Sequence, residues 1–389
     1  MAGFTMYDQS NKKALIIGGG IGGLAAAIAL RRAGIEAIVY ESSNALREIG
    51  AGLTLWRNAV RAIEKLGLSN ELAAIGMPMN EGGVRSWRGD VLSTTFVDQP
   101  DNLDVQATVV HRAELLAMLS AALDEGVVHL QAKCVSFKQD DVGVWAQFSD
   151  GSEASGEALI GADGIHSVIR SQLFGKEKPG YSGYTGWRGI AQLEHEHIPA
   201  ATTESWGEGR RFGLAPLNQG RVFWYATQNI AEGIADSAVG RKERLLALFG
   251  DWHVPIRAVI EATEESAILH NDIYDRKPVQ HWTRGRVTLL GDAAHPMTPN
   301  LGQGACQALE DAVVLAQCFK QHKSVVAALQ TYEKRRISRT NAIVRLSRRI
   351  GQIGQLENPA VCALRDILMK SIPTSLQLKQ FERIVRYEV

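Results

Sequence analysis

Residues 14–41 read ALIIGGGIGGLAAAIALRRAGIEAIVYE, and this stretch decides the fold. The apolar run that opens it has the length of a buried parallel strand. A Gly-x-Gly-x-x-Gly pattern follows at Gly18, Gly20 and Gly23, and the Ala-rich segment behind it favours a helix. A second apolar run ends at Glu41. This order predicts a strand, a helix and a parallel strand, which together open an α/β fold.

The spacing of the glycines in such a turn reflects three different physical roles. Gly18 permits the tight turn, Gly20 allows a pyrophosphate to approach the backbone, and Gly23 lets the helix pack on the strand. With Gly22 they precede helix N–H groups that can bind phosphate, so these four glycines are predicted to bind a dinucleotide. A carboxylate at Glu41 can accept both ribose hydroxyls and would repel a 2′-phosphate, which favours FAD or NAD(H) over NADP(H). An ordinary Gly-rich turn is the alternative.

Composition limits the classes of function. The 389 residues suffice for two domains or one large interleaved fold. With 42 basic and 42 acidic residues the formal net charge is zero, so nothing indicates a nucleic-acid partner. The four cysteines contain no C-x-x-C pair and are expected to be free thiols in a reducing cytoplasm, not a disulfide framework or a metal site. No apolar run is long enough for a membrane span, so a cytoplasmic protein without stable membrane insertion is expected.

A second, antiparallel sheet is predicted in the region 181–230, which is rich in aromatic residues and alternates with a period of two. Phe223 and Tyr225 lie two positions apart and therefore on the same face of one predicted strand. That face either lines a substrate cavity or fills an aromatic core, and the sequence favours neither. Arg211 can hold an anionic or carbonyl-bearing substrate if the face is open to solvent. We take Arg211, Phe223 and Tyr225 as candidate substrate contacts.

Two further stretches combine an apolar strand with an acidic turn. The first, ALIGADGIHSVIR, contains Asp163; an Asp that caps a helix would explain this residue but not Arg170. The second begins RVTLLGDAAHP and places Asp292 at the end of a strand, where ligands of parallel sheets bind. Beyond it a helix is predicted to start at the Gly302-Gln-Gly304 turn, and the positive end of such a helix can stabilise negative charge.

Arg112 lies at the start of another predicted helix, in the sequence VHRAELL. The helix dipole disfavours a cation at this end, so a guanidinium is useful there only when it pairs with an anion. We therefore interpret Arg112 as a phosphate or cofactor contact, with a solvated surface charge as the alternative.

Together these motifs resemble the class A flavoprotein monooxygenases, the family that includes para-hydroxybenzoate hydroxylase. The pattern Asp-Gly-x-x-Ser-x-x-Arg of this family is filled at every fixed position from Asp163, and both GDAAH and the following Pro-x-x-Gly-x-Gly match. The resemblance implies FAD at the N-terminal glycines, Arg112 near its phosphates and Asp292 on its ribityl chain. It also implies an isoalloxazine contact with the backbone of Leu301, Gly302, Gln303 and Gly304. The remaining predicted cofactor contacts are Ser42, Val135 and Asp163.

The reaction implied by the resemblance is a hydroxylation of an aromatic or heteroaromatic small molecule with NAD(P)H and O2, through a flavin C4a-hydroperoxide. The chain has one Gly-x-Gly-x-x-Gly pattern, so NAD(P)H is expected to dock transiently near the flavin. Pro296 would line the reactive face of the flavin. The similarity is to the single-component branch with salicylate, urate and quinolone hydroxylases and zeaxanthin epoxidase. An epoxidase, an oxidase or reductase, and a non-catalytic flavin-bound interaction module remain the alternatives.

The expected architecture is α/β, with a Rossmann-like FAD-binding domain, an antiparallel β-sheet substrate domain and C-terminal helices. We assign residues 12–75, 105–180 and 284–350 to the cofactor domain. Residues 76–104 and 181–283 are assigned to the substrate domain, and residues 351–389 to the helical tail. The long helix after Ser324 carries six arginines, expected on a solvated or salt-bridged face, with a site for the donor's phosphate as the alternative. The tail is amphipathic and is expected to pack on its own protein; covering the substrate pocket, forming a dimer and touching a membrane are the alternatives. A monomer or homodimer is expected.

Overall fold

The structure is a computed structural model that describes residues 12–46, 51–79, 81–96, 107–194, 198–199, 201–234, 237 and 239–389. The elements before residue 175 are, in order, β1 (Lys13–Ile17), α1 (Ile21–Arg32), β2 (Glu36–Tyr40), β3 (Gly52–Trp56), α2 (Arg57–Lys65), α3 (Ser69–Ile75), β4 (Met77–Pro78), β5 (Glu81–Ser86), β6 (Val91–Phe96), β7 (Ala107–His111), α4 (Arg112–Ala121), β8 (Val128–His129), β9 (Cys134–Gln139), β10 (Val144–Phe148), β11 (Glu153–Gly156), β12 (Ala158–Gly161) and α5 (Val168–Phe174).

The later elements are, in order, β13 (Gly180–Gln192), β14 (Thr202–Trp206), β15 (Arg210–Pro216), β16 (Arg221–Asn229), α6 (Arg241–Phe249), α7 (Ile256–Glu261), β17 (Leu269–Asp275), β18 (Thr283–Arg284), β19 (Val287–Leu289), α8 (Gly304–Gln321), α9 (Val325–Gly354), α10 (Pro359–Ser371) and α11 (Thr374–Val385). Short 3-10 helices lie at Glu265–Ala267, Gly291–Ala293 and Pro299–Leu301. The α/β prediction with C-terminal helices is confirmed.

The first sheet has the strand order β18-β19-β12-β1-β2-β8 and is parallel except at its β18 edge. Ile17 at the end of β1 is paired with Tyr40 on one side and with Gly161 on the other, and Gly161 is paired with Leu289. The carboxyl ends of four strands therefore meet at one edge. The glycine turn, Glu41 and the two acidic motifs follow these strand ends directly, so residues far apart in sequence lie along a single cleft.

Helix α1 packs closely on α8 at Gly22, where a Cβ atom would lie 3.2 Å from Ala308 Cβ. A Cβ atom on Gly23 would lie 1.9 Å from the Gly18 carbonyl oxygen. Because this neighbour is backbone, the approach at Gly23 excludes any larger residue. The role assigned to Gly23 from the sequence, close packing of helix on strand, agrees with this geometry.

The second sheet has the order β17-β13-β16-β15-β14-β5-β6, with antiparallel pairs throughout except the parallel pair β14 and β5. On one side it buries an aromatic core that includes Trp187, Phe212, Trp224 and Phe249. The antiparallel hairpin of β5 and β6 extends this sheet through the pair of β5 with β14. The proposed domain boundaries stay a prediction, although both segments assigned to the substrate domain contribute strands here.

The C-terminal helices follow the sheets. The 30-residue α9 carries the arginine-rich sequence, and α11 buries Leu378 and Val385. By contrast α10 leaves Leu364, Ile367 and Leu368 more than half exposed. None of the helices in the described part of the chain is long and apolar enough to cross a bilayer. The four cysteines are all described, and each is buried and unpaired.

Candidate cofactor and substrate site

The cleft begins at the glycine turn between β1 and α1. Gly18 has φ +111°, a conformation that L side chains rarely adopt, and a Cβ there would lie 2.4 Å from the carbonyl oxygen of Ala162. Gly20 is the N-cap of α1, and a Cβ on it would have no heavy atom within 4 Å. Open space therefore lies in front of the helix N-terminus, where N–H groups without helical acceptors can bind a phosphate.

Glu41 lies at one end of the cleft and is held by the turn itself. Its Oε2 accepts a hydrogen bond of 2.7 Å from the Gly19 N–H, and its Oε1 accepts one of 2.8 Å from the Ser43 N–H. Ser42 Oγ donates to the same Oε1 over 3.1 Å. Burial tends to raise the pKa of Glu41, but the backbone hydrogen bonds outweigh it and lower that pKa. The carboxylate is thus ionised and oriented before any ligand binds.

Val135 lies near this end of the cleft. Val135 is on β9 and is 46% exposed. Just before β9, the Ala132 N–H donates a hydrogen bond of 2.8 Å to the Glu41 carbonyl oxygen. The exposed position of Val135 beside the acidic end of the cleft is compatible with the predicted cofactor contact.

Asp163 caps α5, and Arg170 links the two acidic motifs. Ser167 Oγ donates to Asp163 Oδ1 over 2.5 Å, and the same Oγ accepts from the Arg170 N–H. The buried Arg170 guanidinium donates from one nitrogen to the carbonyl oxygens of Ala293 and Ala294, each over 3.0 Å. A capped turn alone does not explain why an arginine stands at position 170. The structure explains it, because Arg170 holds the loop that carries Asp292, the second acidic residue.

Asp292 lies deep in the cleft yet remains open to solvent. Burial among protein atoms raises the pKa of Asp292, against the opposing effects of His295 and Arg112. Arg112 is the first residue of α4, and its N–H donates to the Ala51 carbonyl over 2.8 Å. Burial lowers the pKa of Arg112, and the nearby Asp292 opposes that shift. The structure therefore brings an arginine and a carboxylate together at the centre of the cleft.

The far end of the cleft is the start of α8. Gly302 has φ +60°, Gln303 is the N-cap, and a Cβ on Gly304 would lie 4.0 Å from Asp292 Oδ1. The Gln303 side chain turns inward, where its Oε1 accepts from Asn58 Nδ2 over 3.0 Å and from Gln307 Nε2 over 2.9 Å. The backbone of this turn, and not the Gln303 side chain, is therefore what a bound group would meet.

Behind this turn lies a buried charged cluster, which we call the α8–α9 ion cluster: His295, Glu310, Asp311, Arg336 and Arg339. Arg336 is bonded to both Glu310 and Asp311, and His295 Nε2 lies 2.6 Å from Asp311 Oδ2. Although burial opposes it, the two carboxylates raise the pKa of Arg336. The arginines were expected on a solvated or salt-bridged face. Arg336 is salt-bridged but fully buried, because α9 packs this face on α8.

Arg211 lies inside the second sheet region and is 1% exposed. Its Nε donates to Gln355 Oε1 over 2.7 Å, and its two terminal nitrogens donate to Glu204 Oε1 over 3.0 Å and Asn300 Oδ1 over 2.7 Å. The guanidinium thus has protein acceptors on all sides. Sequence analysis missed these three partners, and no sequence signal indicates them because each lies on a different element.

Phe223 and Tyr225 lie on the same face of β16, as predicted, and both are half-buried. Phe223 packs against β3, because a Cβ on Gly52 would lie 2.4 Å from Phe223 Cγ. Burial first, and then the nearby Glu204, raise the pKa of the Tyr225 hydroxyl well above its usual range. Pro296 is buried and follows His295 of the ion cluster. This aromatic face therefore meets the strand that borders the cleft.

Comparison with known proteins agrees with this arrangement. The FAD binding domain family matches residues 11–347. Aurachin C monooxygenase/isomerase of Stigmatella aurantiaca is 43% identical over 357 residues, 92% of this chain and 93% of that protein. FAD-dependent urate hydroxylase of Klebsiella pneumoniae is 34% identical over 341 residues, 87% and 89% of the two chains. The crystal structure of Klebsiella pneumoniae HpxO complexed with FAD and uric acid superposes with a TM-score of 0.91 at 31% identity, covering 98% of each chain.

By its fold and its glycine turn the molecule is a flavin-dependent oxidoreductase. The chain belongs to the FAD binding domain family and is an FAD-dependent monooxygenase, with NAD(P)H as the co-substrate typical of that family. The residues present fit the cofactor. Open space at Gly20 leaves room for a pyrophosphate, and Asp292 is the solvent-facing carboxylate needed for a polyol chain.

Proposed function

We propose that the cleft holds FAD in an extended form and that the enzyme hydroxylates an aromatic or heteroaromatic small molecule beside Phe223 and Tyr225. The observation that carries the proposal is the single line of groups along one sheet edge. Glu41 is bonded to the turn that contains Gly20, and Asp292 lies between Arg112 and the start of α8. Relatives whose names specify ring-containing substrates support the substrate class.

Each part of the line would hold a different part of FAD. Glu41, with Ser42 and Val135 nearby, would meet the adenosine, and the four glycines with Arg112 would meet the pyrophosphate. Asp292, with Asp163 fixing the neighbouring turn, would hold the ribityl chain. Leu301, Gly302, Gln303 and Gly304 would meet the isoalloxazine edge through their backbone.

When bound, FAD accepts a hydride from NAD(P)H and activates O2, which the protein's own groups cannot do. The N-terminus of α8 stabilises negative charge on the adjacent cofactor edge. Pro296, buried in a loop without its own donor, keeps water from the reacting face. Arg211 acts as a positioning residue, since its bonds to Glu204 and Asn300 hold the polar wall next to Tyr225. The Tyr225 hydroxyl stays protonated beside Glu204, so Tyr225 offers the substrate its ring face and a hydroxyl oxygen that can accept a hydrogen bond.

The test is stopped-flow reduction of the FAD-loaded enzyme by NADH and by NADPH in the presence of phenols, quinolones, urate and phenazines, with products identified by mass spectrometry. We expect one class of ring compound to accelerate reduction and to gain one oxygen atom. Epoxide formation would support the alternative suggested by the tomato zeaxanthin epoxidase, which is 35% identical over 370 residues. Rapid reduction without any effector, with hydrogen peroxide as the sole product, would contradict a hydroxylase.

We also propose that the enzyme acts in the cytoplasm as a monomer or homodimer. Four buried, unpaired cysteines support a reducing compartment. Light scattering of the FAD-loaded protein measures the oligomeric state, and a stable tetramer would contradict this proposal.

A further inference from the structure

Five half-buried apolar side chains from four separate elements surround one small buried cluster. We call them the apolar wall: Trp56 at the end of β3, Ile190 on β13, Phe223 on β16, and Phe381 and Ile384 on α11. Their shared base includes Met79, Val109 and Val385, each 5% exposed or less. Each wall residue keeps part of its surface open to solvent, and all five pack on the same buried cluster although they come from distant parts of the chain.

The apolar wall reaches from the cofactor cleft to the second sheet. The rings of Trp56 and Phe381 pack edge to face, with centroids 4.5 Å apart and planes at 71°. Trp56 borders the turn at the start of α8, since a Cβ on Gly302 would lie 3.1 Å from Trp56 Nε1. At the other end Phe223 packs on Gly52. Phe381 is thus within one side chain of the cofactor edge, although it lies far from the cofactor motifs in sequence.

Helix α11 is fixed to the same elements that form the cofactor edge. Arg339 donates to the Ile384 carbonyl over 2.7 Å and lies 4.3 Å from the ring centroid of Tyr387. Arg339 also belongs to the α8–α9 ion cluster through Glu310. Because Glu310 is hydrogen-bonded to the same Asn58 that holds Gln303, the helix and the turn share one network. The distance from Phe381 to the cofactor edge is therefore set by buried contacts.

We propose that α11 forms the apolar side of the substrate pocket, and that Phe381 is a specificity-determining residue that contacts an alkyl or alkenyl group on the ring of the substrate. This proposal rests on the proposed function and adds the chemical class of its substrate. The side chains of the apolar wall carry no charge, and their single polar atom is the Trp56 indole nitrogen, so the wall favours hydrocarbon over charged groups. Each methylene that it covers strengthens binding about fourfold.

The experiment measures dissociation constants for 4-quinolones with alkyl chains of increasing length, from the change in flavin absorbance of the FAD-loaded enzyme. We expect wild-type affinity to rise with chain length by about fourfold per methylene until the wall is covered. Phe381→Ala removes most of this dependence and leaves the affinity for the unsubstituted ring within about twofold. Lys379→Ala, at an exposed position of the same helix, is the matched control and keeps the wild-type dependence.

Circular dichroism establishes that each variant is folded, and Phe381→Leu, which preserves an apolar side chain, gives an intermediate dependence on chain length. A parallel loss of affinity for all ligands in Phe381→Ala overturns the inference. Equal affinity of the wild-type enzyme for unsubstituted and alkylated rings also overturns the inference. If the enzyme hydroxylates both kinds of ring, the proposed function stays intact. If alkylated rings bind in a Phe381-dependent way but no ring compound is hydroxylated, the proposed function fails and the apolar wall stands.

Discussion

Gly20 and Gly23 lie three residues apart in the same turn, but their surroundings differ completely. A Cβ on Gly20 meets nothing within 4 Å, whereas one on Gly23 would lie 1.9 Å from a carbonyl oxygen. One glycine leaves room for a ligand, and the other allows the chain to pack on itself. Substitution separates these two roles.

We expect Gly20→Ala to fold with an unchanged melting temperature when FAD is absent, and to weaken FAD binding at least about tenfold, because the methyl group takes the space of the phosphate. Gly23→Ala should lower the free energy of unfolding by about 2 kcal/mol, since the backbone must shift. Thermal melts of the FAD-free proteins and FAD fluorescence titrations measure both effects. An unchanged FAD affinity in Gly20→Ala would show that the space at Gly20 is not a phosphate site.

Arg170 is a residue whose importance depends on two carbonyl groups more than 120 positions away. Arg170→Ala leaves the carbonyls of Ala293 and Ala294 without their donor and should cost about 2 kcal/mol in unfolding free energy. Because the same loop carries Asp292, FAD affinity should fall as well. Urea unfolding and FAD titration are the measurements. Arg170→Lys keeps the charge on a shorter side chain and should restore little of either loss. Wild-type stability and FAD affinity in Arg170→Lys would show that the guanidinium is not needed to hold the two carbonyls.

At the scale of elements, the packing of α8 on α9 depends on the buried ion cluster. Glu310 is buried, which raises its pKa, but Arg336 and Arg339 outweigh this and lower it below the usual value of 4.5. A carboxylate with a lowered pKa stabilises the fold above its unfolded pKa, and this contribution disappears as pH falls through the folded pKa. The pair of helices is therefore stable at neutral pH and loses stability below about pH 4.5.

Glu310→Gln should lower the unfolding free energy at pH 7 by about 3 kcal/mol, because two buried guanidiniums lose a carboxylate. It should also flatten the dependence of stability on pH below 4.5. Urea unfolding between pH 7 and pH 3.5, with a single two-state transition at each pH, measures both effects. Glu261→Gln breaks an exposed pair with Arg257 and serves as control, with a change below about 0.5 kcal/mol.

At the scale of the whole molecule, α9 joins both sheets. Arg336 near its middle belongs to the ion cluster behind the cofactor cleft, while Gln355 after its end bonds to Arg211, Thr227 and Asn229 of the second sheet. A ligand that stabilises the first sheet should therefore stabilise the second one too. Helix α9 thus couples the two sheets, in addition to the contacts of Phe223 with Gly52 and of Arg211 with Asn300.

Hydrogen exchange tests this coupling. FAD at a hundredfold excess over its dissociation constant adds about 2.7 kcal/mol of stability, so exchange in peptides from β1 should slow about a hundredfold. We expect the same slowing in peptides from β16. Gln355→Ala should keep the protection of β1 and lose most of it in β16, whereas Gln352→Ala, at an exposed position of α9, should behave like wild type. Equal protection of β16 in both variants would contradict the coupling.

The sequence predicts those features that depend on local spacing. Gly18, Gly23 and Asp163 belong to short motifs in which backbone geometry requires a particular residue, and the α/β fold follows from them. Contacts between distant elements have no such signal. The burial of Arg336 and the acceptors around Arg211 arise only when α9 packs on α8 and reaches β15. The arginine-rich sequence of α9 is typical of a solvated helix face, yet Arg336 lies in the protein interior.

The antiparallel pairing of Gly180 with Asp275 has a consequence for the history of such enzymes. The segment between these residues leaves the first sheet and returns to it at a single point, so its two ends are already neighbours. Recombination can exchange a segment of this kind as a cassette without displacing Asp163 on one side or Asp292 on the other. The hairpin of β5 and β6, which pairs with β14, has to match the newcomer, and so do the contacts that Gly52, Asn300 and Gln355 make with this segment. New substrates can thus be acquired by grafting, while the flavin chemistry is inherited unchanged.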